Sequence, residues 1–404
     1  MKHPQRTVLL LLLLALATAL LWWLWPLLRS TLDALNRSGS IGLKQLAAIV
    51  AIIVVLAGII GFLVGWALAR KKRSAALDSN HGRAHSKQGD LDQAVDVYTQ
   101  TIALNPQDVA AYNNRGLAHA ERGDLAQAIA DFSWAIALAP QYAKAYYDRG
   151  NAHAEQGDLA RAIADYTRVI ALDPQFAAAY NNRAIAYREQ GKLSRAVADC
   201  TEAIALDPHH AGAYYNRGLA CADQGNLTQA IADLTQAIAL NPRYAAAYNN
   251  RGIAYHNQGD LAQAIADYTQ AIALDPRLAR AYNNRANAYH HQGDLARAIA
   301  DSTQAIALDP QYARAYINRG NAYRDQGDMA QAIADYTQAT ECNPEDAFPC
   351  YARAFAYYRQ GKTAEAHADI QHARELPLSS AARRENEDEW TRLQAELPPQ
   401  PRAG

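Results

Sequence analysis

The sequence lacks the motifs that mark metal, redox or hydrolytic chemistry. Its four cysteines stand apart and none belongs to a CxxC pair, so zinc-ribbon and thioredoxin-like motifs are absent. The chain also contains no HExxH, no phosphate-binding glycine loop and no GxSxG. These absences argue against metalloenzyme, nucleotide-binding and serine-hydrolase classes. No catalytic residue, metal or cofactor is therefore expected.

The sequence also lacks an excess of charge of either sign. The 39 Lys and Arg residues are balanced by 40 Asp and Glu residues, which gives a formal net charge of −1. Nucleic-acid-binding proteins need a basic stripe or patch to meet the phosphate backbone. We therefore expect no nucleic-acid partner.

Long apolar runs occur only in the first 73 residues. Residues 7–28 and residues 46–69 carry no charged side chain, and each run is long enough to cross a bilayer core as a helix. We predict a membrane anchor over residues 1–73, with spans at about 7–28 and 46–69. The alternative for the first run is a cleaved signal peptide, because Lys2 and Arg6 precede it and Ala17-Thr18-Ala19 resembles a cleavage site.

Basic residues beside the two runs predict their orientation. Six lie on the outer flanks and three lie in the loop between the runs: Lys2, Arg6, Arg70, Lys71, Lys72 and Arg73 against Arg29, Arg37 and Lys44. Because cytoplasmic flanks are enriched in Lys and Arg, we predict a multi-pass protein of the cell (inner) membrane with its repeats in the cytoplasm. Gly61 and Gly65 form a GxxxG that allows close helix approach, either between the two spans or in a homo-oligomer.

The rest of the chain is mostly one 34-residue unit in nine copies. Glycine recurs every 34 residues from Gly89 to Gly361, and proline does so from Pro106 to Pro344. Numbered from Ala75, the repeats cover residues 75–380, and residues 381–404 suggest a capping helix and a Pro-rich tail. Glycine at position 15 suits the end of a first helix, and aspartate at position 16 suits the N-cap of a second. The pattern predicts two antiparallel helices per repeat.

The segment from Tyr112 to Pro140, YNNRGLAHAERGDLAQAIADFSWAIALAP, resembles the tetratricopeptide-repeat (TPR) family almost position by position. The 34-residue period is also that family's period. The resemblance implies an all-α, right-handed superhelical solenoid whose concave face, lined by the first helices, binds peptides. It also implies a non-enzymatic protein–protein interaction scaffold or adaptor, here tethered to a membrane. The alternative is a membrane assembly factor that self-oligomerises through its spans and solenoid.

Position 7 departs from the leucine that is usual in the family. Arginine stands there in repeats 2 to 9, and aspartate stands at position 23 of the same eight repeats, whereas repeat 1 has neither. Because the arginine and the aspartate occur together in eight repeats and are both missing from repeat 1, we predict an ion pair within each of repeats 2 to 9. The alternative is an arginine ladder that grips a phosphate or carboxylate ligand. The pairs of most interest are Arg115 with Asp131, Arg251 with Asp267, and Arg319 with Asp335.

Position 6 supplies candidate contacts for a ligand on the concave face. It holds asparagine in six of repeats 2 to 9, and Asn80 stands there in repeat 1. This row is similar to the asparagine ladder in the TPR region of O-linked N-acetylglucosamine transferase. The resemblance implies amides that hold a bound peptide's backbone; the alternative is that local contacts occupy them. These residues are Asn114, Asn182, Asn216, Asn250, Asn284 and Asn318.

Charges on the same face change along the repeats. Position 13 is acidic in repeats 2 to 5, at Glu121, Glu155, Glu189 and Asp223. Positions 2 and 12 carry basic side chains in repeats 7 and 8, at Arg280, Arg314 and Arg324, with His290 beside them. We predict a groove that takes a basic segment toward repeats 2–5 and an acidic one toward repeats 7–8. The alternative is a set of ordinary solvated helix faces.

Overall fold

The computed structural model describes residues 90–376 without interruption, together with eleven single residues elsewhere. Those single residues are Trp25, Pro26, Arg29, Ser30, Asp33, Leu46, Val50, Val54, Gly58, Gly61 and Thr391. The predicted spans, the GxxxG residue Gly65 and the predicted capping helix otherwise lie outside the described residues. Among the helices that are described, none combines the length and the apolar character needed to cross a membrane.

Residues 90–376 form seventeen α-helices and contain no strand. The chain divides into two compact units, Met1–Pro140 and Gln141–Gly404. Helices of the first unit are α1 (Leu91–Leu104), α2 (Val109–Glu121) and α3 (Leu125–Leu138). Helices of the second unit are α4 (Ala143–Glu155), α5 (Leu159–Leu172), α6 (Ala177–Glu189), α7 (Leu193–Leu206), α8 (Ala211–Asp223), α9 (Leu227–Leu240), α10 (Ala245–Asn257), α11 (Leu261–Leu274), α12 (Ala279–His291), α13 (Leu295–Leu308), α14 (Ala313–Gln326), α15 (Met329–Cys342), α16 (Phe348–Arg359) and α17 (Thr363–Glu375). Every repeat from the second to the ninth therefore supplies a pair of helices, as the sequence predicts.

The turn between the two helices of a repeat has the predicted glycine and aspartate in repeats 2, 3, 6, 7 and 8, whereas Lys192 and Lys362 replace the aspartate in repeats 4 and 9 and give no side-chain cap. In repeat 6, Gly259 has a φ of 86°, in the left-handed region that favours glycine. The side chain of the next residue, Asp260, accepts a hydrogen bond of 3.1 Å from the backbone N–H of Gln263. This N-cap satisfies a donor that the first turn of α11 would otherwise leave without a partner. The turn brings α11 back alongside α10, and the two helices pack against each other.

The first helices of the repeats line one side of the second unit. Each of them contacts the first helix of the next repeat, from α4 with α6 to α14 with α16. Within residues 141–376, by contrast, no second helix contacts the second helix of the next repeat. The first helices are therefore the more closely spaced set and form the inner side of this unit. Their solvent-facing surface is called the inner face below.

In repeats 2 to 8, positions 8 and 24 are matched in size. Position 8 is glycine where position 24 is a large residue such as Tyr268, and it is alanine where position 24 is Cys200 or Ser302. Repeat 9 departs from this rule, since it combines Ala354 with Ile370. A methyl group on Gly252 would lie 2.7 Å from Cε1 of Tyr268 and 3.2 Å from the carbonyl oxygen of Ala264. Tyr268 is only 2% exposed, so its ring has little room to move. Glycine at position 8 therefore leaves the space that the buried ring at position 24 occupies.

Gly252→Ala is expected to lower the free energy of unfolding by ~1–3 kcal/mol, the usual cost of overpacking a core. Helix propensity alone would act in the opposite direction and stabilise the variant by about 1 kcal/mol. The matched control is Ala286→Gly in repeat 7, which faces the small Ser302 and should cost only that propensity difference. Urea denaturation followed by circular dichroism measures both. An unchanged or raised stability of Gly252→Ala would contradict the close approach.

Candidate functional site

The arginines at position 7 are held by aspartates of the same repeat. In each of repeats 2 to 9, Nε and Nη2 of the arginine donate to the two carboxylate oxygens, over 2.6–2.9 Å. The pairs are Arg115–Asp131, Arg149–Asp165, Arg183–Asp199, Arg217–Asp233, Arg251–Asp267, Arg285–Asp301, Arg319–Asp335 and Arg353–Asp369. Such two-pronged pairs are the strong form of the charged hydrogen bond.

The same guanidinium groups also reach the preceding repeat. Nη1 of Arg251 donates to the hydroxyl of Thr235 at 3.0 Å, and Nη1 of Arg319 donates to Thr303 at 3.1 Å. The hydrogen bond to Asp267 raises the pKa of Arg251, although burial acts to lower it. Arg251 and Arg319 therefore bond inside the protein on both sides, which leaves them poorly placed to grip a ligand.

The position-6 asparagines form rungs between successive repeats of the second unit. Nδ2 of Asn216, Asn284 and Asn318 donates to the side-chain oxygen of an asparagine at position 5 of the preceding repeat: Asn181 at 2.9 Å, Asn249 at 3.0 Å and Asn283 at 2.9 Å. Nδ2 of Asn182 and Asn250 instead donates to a tyrosine hydroxyl at position 5: Tyr147 at 3.0 Å and Tyr215 at 2.8 Å. Asn114, in the first unit, is 8% exposed.

The rungs leave part of each amide available. A carboxamide has two donors and an acceptor oxygen, and the bond to the preceding repeat uses one donor at Asn216, Asn250, Asn284 and Asn318. Asn182 differs, because its Nδ2 donates to both Tyr147 and Asn151 and its oxygen accepts from Asn181. Asn182, Asn216, Asn250, Asn284 and Asn318 are all partly exposed. Sequence reasoning predicted these asparagines on the ligand-facing side but missed their partners at position 5, where Asn and Tyr alternate irregularly. The structure therefore gives these side chains a role in joining neighbouring repeats, and their role toward a ligand stays a prediction.

Positions 12 and 13 form a second set of links between repeats. Nε of Arg188, at position 12 of repeat 4, donates to Asp223, at position 13 of repeat 5, at 2.6 Å. At the corresponding site of repeats 7 and 8, Nε2 of His290 lies 2.8 Å from Asp325. Asp223 is therefore neutralised by a neighbour rather than offered to a ligand.

Arg324 differs from the prediction that it is a ligand-binding cation. Its side chain is 12% exposed, and its Nε lies 2.9 Å from Oδ1 of Asp325. Its guanidinium carbon also lies 6.0 Å from the ring centre of Phe355. Burial by itself would raise the pKa of Asp325, but hydrogen bonds from His290 and Arg324 lower it to about 2. The sequence analysis did not include Asp325, which converts this basic position into a neutral cluster.

The remaining predicted charges are exposed. Arg280 and Arg314 occupy the first turns of α12 and α14, and both are exposed. Both lie near Tyr312: burial raises the pKa of its phenol, and the two arginines act to lower it. Glu155 and Glu189 are exposed at the ends of α4 and α6, as is Glu121 in the first unit. Arg280 and Arg314 therefore remain together as a basic pair, and Glu155 and Glu189 remain available.

Several of the histidines and cysteines in residues 90–376 pack against neighbouring side chains. The ring centres of His256 and His291 lie 5.2 Å apart. Burial is the main cause that lowers the pKa of His291, and the neighbouring His256 and His290 lower it further. Within the described part of the chain, no group of His, Cys, Asp and Glu is arranged to hold a metal ion. Burial raises the pKa of Cys200 to about 12, so its thiol stays protonated and unreactive at neutral pH.

A small cavity opens on the inner face between repeats 3 and 4. Its volume is about 210 Å³, below the ~300–1,000 Å³ typical of small-molecule sites. The lining residues come from the first helices α4 and α6 and the intervening helix α5: Asn151, Ala154, Leu159, Tyr166, Asn182, Ile185, Ala186 and Glu189. The cavity joins apolar walls to an amide pair and one carboxylate, and its size suits a single side chain.

Family models of this repeat match most of the repeat region. Models described as "Tetratricopeptide repeat" match residues 79–143, 121–177 and 147–211, and residues 279–312. A model described as "TPR repeat" matches residues 218–259, 254–293 and 320–361. The chain belongs to the tetratricopeptide-repeat family.

Two of the solved structures that resemble the chain share its fold. A tetratricopeptide repeat protein from Parabacteroides merdae is 22% identical with a TM-score of 0.50, and the match covers 65% of this chain and 99% of that one. The APC/C hetero-tetramer Cut9–Hcn1 gives a TM-score of 0.51 at 16% identity, with 79% and 76% covered. MamA is 30% identical with a TM-score of 0.38, with 41% and 96% covered. No curated protein sequence matches the chain.

The Arg–Asp pair can be tested by a double-mutant cycle. Arg251→Ala should destabilise the protein by up to roughly 3–5 kcal/mol, because it leaves Asp267 nearly buried without its partner. The loss should be at the low end, since the Arg251 side chain is 17% exposed. In an Asp267→Ala background the same change should cost ~1–3 kcal/mol less, which urea denaturation measures. Arg251→Ala combined with Asp335→Ala, two repeats on, is the control and should be additive. Additivity in both cycles would refute the pairing.

Proposed function

We propose that the protein is a non-enzymatic scaffold, held at a membrane by its amino-terminal segment, that binds protein or peptide partners along the inner face of its second unit. Tetratricopeptide repeats act as protein-interaction scaffolds, which supports the general class. The row of partly exposed position-6 asparagines carries the more specific proposal. Each amide keeps hydrogen-bonding capacity, and the amides recur once per repeat beside one another. An extended peptide backbone presents a matching series of N–H and C=O groups.

The exposed charges give the proposed groove a direction. Arg280 and Arg314 lie together on α12 and α14, and Glu155 and Glu189 lie on α4 and α6. An acidic segment of the partner would lie against the arginines, and a basic segment would lie against the carboxylates. Complementary charge of this kind mainly sets association rate and orientation, so binding should weaken as salt is added.

The membrane tether rests on the two uncharged runs at about 7–28 and 46–69 and on the six basic residues that flank them. The same pattern supports placing the repeats in the cytoplasm beside the inner membrane. Only residues 70–74 separate the second run from the first repeat, so the scaffold would begin close to the lipid surface. A partner bound there would be concentrated at the membrane.

The groove is tested by charge reversal. Peptides selected on the full-length chain from a random display library should be enriched in an acidic segment. Arg280→Glu with Arg314→Glu should weaken their binding about tenfold, which corresponds to ~1.4 kcal/mol, and should reduce its salt dependence. Both side chains are exposed, so folding should survive. The matched control is Arg168→Glu with Arg195→Glu, two exposed arginines on the second helices α5 and α7, and it should bind normally. Unchanged affinity and salt dependence in the first variant would exclude this face as the site.

The membrane topology is tested separately. A reporter that is active only in the cytoplasm should be active when fused after Gly404 and silent when inserted in the loop at residues 29–45, because six basic residues lie outside that loop and three lie within it. Reporter activity in membrane fractions measures both. The opposite pattern, with an active loop fusion and a silent carboxyl-terminal fusion, would reverse the proposed orientation.

A further inference from the structure

The cavity between repeats 3 and 4 has an apolar shaft and polar ends. Ala154, Leu159, Ile185 and Ala186 supply apolar walls, and the exposed carboxylate of Glu189 belongs to the lining. Within the described part of the chain, no salt bridge to Glu189 is present. A long side chain with an apolar stem and a positively charged end has the chemistry that such a site accepts.

The interior end of the cavity is fixed by hydrogen bonds. The side-chain oxygen of Asn151 accepts from the Tyr166 hydroxyl at 2.8 Å and from Nδ2 of Asn182 at 3.0 Å. Burial raises the pKa of Tyr166, so this group remains a neutral phenol. The Tyr166 hydroxyl donates its hydrogen to Asn151, and its oxygen can accept a hydrogen bond. The wall is therefore rigid and rich in acceptor oxygen.

The neighbouring repeats show what fills the corresponding place. Between repeats 4 and 5, position 12 is Arg188, and its guanidinium reaches the carboxylate of Asp223 at position 13 of the next repeat, at 2.6 Å. Between repeats 3 and 4, position 12 is Ala154 and position 13 of the next repeat is Glu189. The pair of repeats 3 and 4 thus keeps a carboxylate at position 13 but has only a methyl group at position 12, where the pair of repeats 4 and 5 has an arginine. The cavity lies where the missing side chain would run.

We infer that the cavity beside Glu189 is a specificity pocket for one basic side chain of the bound peptide, arginine in preference to lysine. The ligand arginine would take the place that Arg188 takes in the next pair of repeats, with its stem against Ile185 and Ala186 and its guanidinium on Glu189. Arginine is favoured because a planar guanidinium can bond a carboxylate through two parallel donors, whereas an ammonium acts as a point charge. This inference rests on the proposed peptide-binding function and names the residue that the groove selects there.

The occupant is limited by size as well as by charge. A volume of about 210 Å³ is several times the ~30 Å³ that a water molecule occupies in the liquid. It is nevertheless smaller than the usual small-molecule site. One long side chain fits this range, and an acidic end would be repelled by Glu189.

The test compares three peptides on the full-length chain with methyl-labelled Ile and Ala. The probes are peptides of alternating serine and alanine whose central residue is arginine, lysine or citrulline, the neutral counterpart of arginine in shape. The arginine peptide should shift the methyl signals of Ile185, Ala154 and Ala186. It should bind about tenfold more tightly than the citrulline peptide, with lysine between them.

Two variants should remove this preference. Ala154→Arg fills the cavity from within and supplies Glu189 with the partner that Asp223 already has. Glu189→Gln changes an exposed residue, so it keeps the test decisive if the first variant folds poorly. The matched control is Ala222→Arg, the same change at position 12 of repeat 5, where the next repeat has Asn257 in place of an acid. It should leave the preference for arginine intact.

The outcomes separate this inference from the proposed function. Peptides that shift inner-face methyl signals elsewhere, with no preference for arginine over citrulline, would overturn the pocket and leave the scaffold. A preference that survives both Ala154→Arg and Glu189→Gln would also overturn the pocket. Peptides that shift no inner-face signal would overturn both the pocket and the peptide-binding role of this face.

Discussion

The fold depends on one arginine that recurs at position 7. In repeat 6, Arg251 joins the two helices of its own repeat through Asp267 and joins the preceding repeat through Thr235. A repeat protein has no long-range core, so its stability is a sum of terms within repeats and terms between neighbours. One side chain contributes here to both terms. Because the same residue appears in eight successive repeats, the geometry between helices is set again at each step.

This constraint leaves the inner face free to vary. The core positions are fixed by size, as the match of Gly252 with Tyr268 and of Ala184 with Cys200 shows. Positions 12 and 13 carry no such restriction, since they link first helices near the surface. They hold an arginine–aspartate pair at Arg188 and Asp223 and a histidine–aspartate pair at His290 and Asp325. Separate binding subsites on a uniform scaffold require residues that differ between repeats on the face that meets the ligand. Positions 12 and 13 supply such differences.

Most of the fold within a repeat could be predicted from the sequence, because its signals are local. Gly259 and Asp260 define a turn by backbone conformation and N-capping, and the joint occurrence of Arg251 and Asp267 indicates a contact between antiparallel helices. Contacts between repeats were not predictable in the same way. Asn250 bonds to Tyr215 and His290 bonds to Asp325, each 35 residues apart, so the offset of one residue from the repeat period hides the relation. That offset comes from how neighbouring first helices pack, which the repeat pattern does not specify.

Internal partners explain why charge read along the sequence misjudges charge on the surface. Arg324 and Asp223 are charged residues on the ligand-facing helices, but each is neutralised by a partner from within the protein. A charged side chain that is paired inside the protein is no longer available to a ligand. Where alanine replaces one partner of such a pair, the other partner keeps its charge exposed to a ligand. Glu189 beside Ala154 is such a case on α4 and α6. The charge that the inner face presents to a ligand therefore depends on two things. Charged residues at positions 12 and 13 that pair between repeats are neutralised, and those whose partner position holds an uncharged residue are not.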